Sequence, residues 1–181
     1  MNNIIKHLEN SNDSEVIEAT NSKLRNHYEY YFKSRPGINY DGSMKLNQDS
    51  YLTIKYDCNK YSIFSVLDGH GTYGKMASRS VSEFIMNFFN KERISHFYEE
   101  NHNSIYQVMT GRNYKFIKSC FAEADAELSN SAKYDFSYSG TTVVLVILIG
   151  KMFPNIENKI ICTNVGDSRA ILAKYIKDIV K

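Results

Sequence analysis

The sequence predicts an α+β protein or a layered β-sandwich, built on antiparallel strands and not on alternating βαβ units. Three observations carry that prediction. Apolar, β-branched runs come in two sets, one before and one after a central stretch with helical periodicity. The first two runs are joined by a turn-like tetrapeptide, as in a hairpin. The helical stretch is long enough for two helices, so strands and helices are segregated along the chain.

The elements follow in order. Residues 1–35 are polar, with no glycine or proline before Pro36, and hold helix-forming residues at Glu15-Val16-Ile17-Glu18-Ala19. They are expected to form an extension outside the folded domain. Arg35-Pro36-Gly37 breaks whatever precedes it, and the domain proper is expected over residues 36–181. Tyr51-Leu52-Thr53-Ile54-Lys55-Tyr56 and Tyr61-Ser62-Ile63-Phe64-Ser65-Val66-Leu67 flank Asp57-Cys58-Asn59-Lys60 and read as an antiparallel hairpin. Residues 73–90 read as a helix, because Met76, Ala77, Val81, Phe84, Ile85, Phe88 and Phe89 recur at three- and four-residue spacing. The polar stretch 91–111 reads as a linker whose His96 and His102 are ordinary surface histidines. A second helix is expected over 114–131, with Phe116, Ile117, Cys120, Phe121, Ala124 and Leu128 on one side. A loop at 134–140 then leads into strands at 141–149, 159–165 and 169–175.

Composition excludes several classes. The chain has 181 residues, enough for one domain with a core, and carries 22 basic and 20 acidic residues for a net charge of +2. No cluster of lysine and arginine argues for nucleic acid. The longest apolar run, 141–149, is too short for a membrane helix, which needs about 20 residues. Cys58, Cys120 and Cys162 match neither a zinc spacing nor a disulfide framework, which fits a reducing intracellular compartment, cytoplasmic or nuclear. Cys162 reads as a small core residue. The N-terminus lacks the apolar stretch of a secretory signal and lacks glycine at position 2. A monomer is the expectation.

The chemistry concentrates at Asp68-Gly69-His70-Gly71, directly behind a strand. Aspartate is a hard oxygen ligand, and histidine moves a proton near neutral pH. The glycines let the backbone turn and approach a bound ion closely. If the hairpin turn centres between Cys58 and Asn59, Asp49 falls opposite Asp68, and opposed side chains share a face with Cβ atoms roughly 5 Å apart. Two carboxylates so placed repel unless a cation lies between them, which predicts a divalent metal flanked by Asp49 and Asp68. A slip of one residue would put them on opposite faces.

Four motifs occur in order: Asn47-Gln48-Asp49-Ser50, Val66-Leu67-Asp68-Gly69-His70-Gly71, Ser139-Gly140-Thr141-Thr142 and Asn164-Val165-Gly166-Asp167-Ser168-Arg169-Ala170. Over residues 37–176 the chain thereby resembles the metal-dependent serine/threonine protein phosphatases of the type 2C family. The resemblance implies two antiparallel sheets flanked by helices in α-β-β-α layers, with two or more Mn²⁺ or Mg²⁺ ions in a cleft at one sheet end. The ions would activate water to hydrolyse phosphoserine or phosphothreonine in phosphorylated protein substrates. Residue by residue, it implies that Asp68 bridges the ions, that the Gly69 carbonyl is a ligand, and that Asp49 binds directly or through water. His70 would protonate the leaving alkoxide. Asp167 matches a position associated with an additional, weaker metal, and residues 139–142 line the sheet below the site.

Two departures stand out. Many family members carry an arginine a few residues before the first acidic pair to grip the substrate phosphate; Lys45 is the nearest candidate here and supplies charge without the bidentate fork. The family's further metal aspartates lie in motifs beyond the Gly166–Arg169 turn, so the domain is expected to be incomplete at its C-terminus. A non-catalytic, phosphatase-like binding or regulatory module is the alternative function. A third reading makes Ser168 the nucleophile of a Gly-Asp-Ser esterase, but such sites need a late histidine base and none follows His102.

Overall fold

The computed structural model describes residues 4–8, 30–56, 61–90, 94, 105–149 and 159–173. The helix-forming residues 15–19, the turn at 57–60 with Cys58, and His96 and His102 lie outside the described residues. Seven strands and two long helices are described: β1 (Ile4–Leu8), β2 (Ser50–Tyr56), β3 (Tyr61–Leu67), β4 (Gly69–His70), α1 (Gly74–Phe88), α2 (Ile105–Ser129), β5 (Gly140–Thr141), β6 (Val143–Ile149) and β7 (Lys159–Val165).

The strands form a five-stranded antiparallel sheet in the order β1-β2-β3-β6-β7, with β4 and β5 as a two-stranded ribbon. The fold is therefore α+β with an antiparallel sheet. Among the described residues its layers are one helical layer and one five-stranded sheet. The hairpin register runs from Ser50 opposite Leu67 to Tyr56 opposite Tyr61, which is the register that the Cys58–Asn59 turn requires.

Period-two alternation decides what the sheet buries. Leu52, Ile54, Ile63, Leu67, Leu145 and Ile147 point to one face and are fully buried. They meet Val81, Ile85 and Phe88 of α1, and Phe116, Ile117 and Cys120 of α2, in one continuous core. Each such Leu, Ile or Phe contributes about 1.5–3 kcal/mol through burial. Phe88 and Phe116, with centroids 5.0 Å apart, join the two helices at the centre.

The opposite face carries Tyr51, Thr53, Lys55, Phe64 and Val66. Part of it is covered by the stretch expected to be an extension. Phe32 stacks on Tyr51 at 4.3 Å, Tyr30 meets Phe64 edge-on at 5.3 Å, and the Lys55 ammonium lies 4.0 Å from the Tyr30 ring centroid. Burial pushes the Tyr30 phenol above its ordinary pKa. Strand β1 also comes from this stretch and pairs with β2.

Four expectations change. Residues 105–111 belong to α2 and not to a linker, because Val108 and Met109 are buried in the core. The helix is irregular just beyond, where Asn113 and Tyr114 have φ of 59° and 60°. Met76 is exposed on the rim of α1. Cys162 is exposed, since its neighbour Ile161 takes the core-facing position on β7. Residues 169–173 form no strand. Ile171 and Leu172 are 93% and 78% exposed, with neither a ladder partner nor a covering face among the described residues. No described helix is long and apolar enough to cross a membrane.

Candidate active site

The hairpin ends where β2 begins and β3 stops, and the next positions outward are Asp49 and Asp68. Both line one depression of about 560 Å³. Its wall also includes Arg35, Lys45, Gln48, Gly69, His70 and Gly71. One depression thus collects Asp49, Asp68, His70 and Lys45. Asp167 is not among the lining residues; it is exposed in the turn after β7.

Local packing explains the glycines. A Cβ at Gly69 would overlap the carbonyl oxygens of Gly74 and Gln48, so only glycine lets β4 pass between α1 and the strand entering β2. Gly71 has φ of +83°, and a Cβ there would overlap the Tyr138 carbonyl and lie 2.7 Å from Ser139 Oγ. The glycines thus serve a close fit of the turn against its neighbours. Gln48 fastens the same turn: its side-chain amide donates to the Gly71 carbonyl at 3.0 Å, while its own carbonyl accepts from Ser78 Oγ at 2.6 Å.

Each candidate side chain has a backbone anchor. Asp49 N–H donates to Asn47 Oδ1 at 3.1 Å, an Asx turn that sets its approach to β2. The Thr142 amide donates to the Asp68 carbonyl at 2.9 Å, and Asp68 N–H donates to Thr142 Oγ1 at 3.1 Å. His70 pairs with Gly140 across the β4/β5 ribbon. A Cβ at Gly140 would come within 3.1 Å of His70 Nε2, so that glycine leaves room for the ring. Lys45 N–H donates to the Gly37 carbonyl at 2.8 Å, closing the loop that holds the lysine over the depression.

Arg35 is the residue that sequence reading missed. In the sequence it stands only at a chain break, yet it lines the same wall as Lys45. Asn47 Nδ2 donates to Ser34 Oγ at 2.7 Å and ties the Ser34–Arg35 step to the approach of Asp49. No local pattern signals this, because the contact joins residues well apart in sequence.

The donor set can be tested against a divalent ion. Two carboxylates with main-chain carbonyls nearby are hard oxygen donors of the kind that suit Mg²⁺ and Mn²⁺. Among the described residues no group of three or more His, Cys, Asp or Glu could hold a metal. Mg²⁺ is commonly bound through one or two carboxylates with a shell of water, and Asp49 and Asp68 would supply that number.

Comparisons with known proteins give the family. The model of the family described as Protein phosphatase 2C matches residues 44–181. The chain is similar to Probable protein phosphatase 2C 34 of Arabidopsis thaliana, 32% identical over 91% of this chain and 49% of that protein. It is also similar to Probable protein phosphatase 2C 35 of the same plant, 34% identical over 82% of this chain and 36% of that protein. The chain spans about half the length of the first of these curated relatives and about a third of the second. No solved structure gives a significant match. With an opposed aspartate pair, a glycine-bounded histidine and a family match across most of its length, the chain belongs to the protein phosphatase 2C family.

Proposed function

We propose that the protein hydrolyses phosphoserine and phosphothreonine in phosphorylated proteins with the help of Mn²⁺ or Mg²⁺. The observation that carries this reading is the shared depression, where Asp49 and Asp68 meet His70 at one end of the sheet and two cationic side chains stand on the wall. Asp49, Asp68 and the Gly69 carbonyl would hold the metal, and Asp167, exposed in the turn after β7, would serve a further, weaker ion. When bound, the metal supplies a water of lowered pKa as nucleophile.

The chain's own residues perform the rest. Arg35 and Lys45 take the non-bridging phosphoryl oxygens, Arg35 through its planar fork and Lys45 as a point charge. This holds the phosphorus above the carboxylate pair and offsets the charge that builds on its oxygens. His70 donates its ring proton to the serine or threonine oxygen as the P–O bond breaks, so the product leaves as an alcohol and not as an alkoxide. No side chain forms a covalent bond to phosphorus. The protein acts inside the cell as a monomer; the spacing of its three cysteines, which matches neither a zinc site nor a disulfide framework, supports the compartment.

The test is turnover of a phosphothreonine peptide by the natural protein with Mn²⁺, beside Asp68→Asn. Activity in the wild type and a loss of about 100-fold or more in the variant is expected, by analogy with the removal of a key electrostatic group. Unchanged turnover in Asp68→Asn refutes the assignment.

A further inference from the structure

Gly166 and Ser168, in the turn after β7, have no part in the function so far described, yet they touch the residue that fixes Asp68. The register of β3 on β6 continues without a slip into that of β4 on β5, from Tyr61 opposite Ile149 to His70 opposite Gly140. That continuity puts Asp68 opposite Thr142, at the one position where both strands are interrupted. In a regular antiparallel ladder, a hydrogen-bonded pair exchanges two main-chain bonds. Here only one is main-chain, from the Thr142 amide to the Asp68 carbonyl at 2.9 Å. The other runs from the Asp68 amide to the Thr142 hydroxyl at 3.1 Å. The Thr142 carbonyl accepts instead from Thr141 Oγ1 at 2.9 Å.

A side-chain hydroxyl thus stands in for a ladder carbonyl beneath the aspartate. It is itself held from two sides. Ser168 Oγ lies 2.7 Å from Thr142 Oγ1, and Gly166, with φ of +93°, packs so closely on Thr142 that an added Cβ would lie 2.8 Å from its methyl carbon. One contact fixes the hydroxyl and the other the methyl, so the rotamer about Cα–Cβ is set by the turn after β7. Thr142 Oγ1 has two lone pairs and one proton, enough to accept from Asp68 and also exchange a bond with Ser168.

We propose that Thr142 and Ser168 are positioning residues for the metal carboxylate: the turn after β7 locks the Thr142 hydroxyl, which replaces a strand carbonyl and aims Asp68 into the depression. This rests on the metal-site reading above and extends it to residues that touch neither metal nor substrate. It also gives Ser168 a role that needs no histidine base.

The experiment measures Mn²⁺ affinity by calorimetry and metal-free thermal unfolding for the wild type, Asp68→Asn, Thr142→Val, Thr142→Ser and Ser168→Ala. Thr142→Val keeps the shape and removes the acceptor. It is expected to weaken Mn²⁺ binding about tenfold or more, the low end for residues that orient a metal ligand. Ser168→Ala should weaken it in the same direction by less, and Thr142→Ser should restore near-wild-type affinity. Amide exchange at Asp68 should quicken in Thr142→Val and Ser168→Ala. Affinity decides the matter whatever happens to the unfolding temperature. Wild-type Mn²⁺ binding in both Thr142→Val and Ser168→Ala, with binding lost in Asp68→Asn, overturns the positioning role and leaves the metal site standing. Failure of the wild type to bind Mn²⁺, or undiminished binding by Asp68→Asn, overturns both.

Discussion

Gly71 and Gly42 have the same φ, +83°, in different surroundings, and the pair separates backbone strain from steric fit. An alanine at Gly42 would meet nothing within 4 Å. Its cost is the left-handed conformation alone, about 1–2 kcal/mol, partly offset by about 0.4–1 kcal/mol from a stiffer unfolded chain. An alanine at Gly71 carries the same strain and also drives its Cβ into the Tyr138 carbonyl, 2.7 Å from Ser139 Oγ and 2.8 Å from Ser139 Cα. Two of those three obstacles are backbone, which cannot rotate aside. Forcing such a shift costs about 1–3 kcal/mol more. For a chain of this size each 1 kcal/mol moves the melting temperature by about 2–4 °C, so Gly71→Ala should melt roughly 5 °C below Gly42→Ala. The assay is metal-free thermal unfolding of the two variants and the wild type by circular dichroism. If Gly71→Ala melts at or above Gly42→Ala, the close fit of the turn against residues 138–139 is wrong, and with it the account of why glycine flanks His70.

Arg35→Ala should raise KM for a phosphopeptide about tenfold or more, the worth of a charge-assisted hydrogen bond, with Arg35→Lys recovering part of it and Lys45→Ala costing less. An unchanged KM in Arg35→Ala removes it from the substrate site. Asp135, beside the turn that seats Gly71, is held below the usual carboxylate range by the Ser137 hydroxyl at 2.6 Å and then by the Ser137 amide at 2.9 Å. A carboxyl depressed in the folded state stabilises it above the unfolded pKa, and that contribution is lost as pH falls through the folded value. Carbon-detected NMR titration of Ser137→Ala should show the Asp135 pKa rising toward its ordinary value; no movement contradicts the hydrogen-bond cause.

Much of the site was legible because its geometry is local. The register of β2 on β3, from Ser50 opposite Leu67 to Tyr56 opposite Tyr61, is the one that the sequence predicts, and register alone carries Asp49 to Asp68. The stripe Ala77, Val81, Ile85, Phe88 repeats within one helix, so its burial follows from periodicity. What escaped the sequence depends on distant partners. Arg35 reaches the wall through Ser34 and Asn47, Thr142 meets Asp68 through the β3/β6 register, and Ile4–Leu8 finds β2 across the length of the N-terminal stretch. Cys162 and residues 169–173 depart from expectation for a related reason. An apolar run shows that a strand could be buried, but not which of its faces another layer covers.

The central claim is that Asp49 and Asp68 act on one ion, and a double-mutant cycle tests it most directly. Mn²⁺ would be titrated by calorimetry into the wild type, Asp49→Asn, Asp68→Asn and the double variant. Ligands of one ion are coupled, so the double variant should lose less affinity than the sum of the two single losses. Strictly additive losses, or a single variant that binds Mn²⁺ as the wild type does, would contradict the shared site.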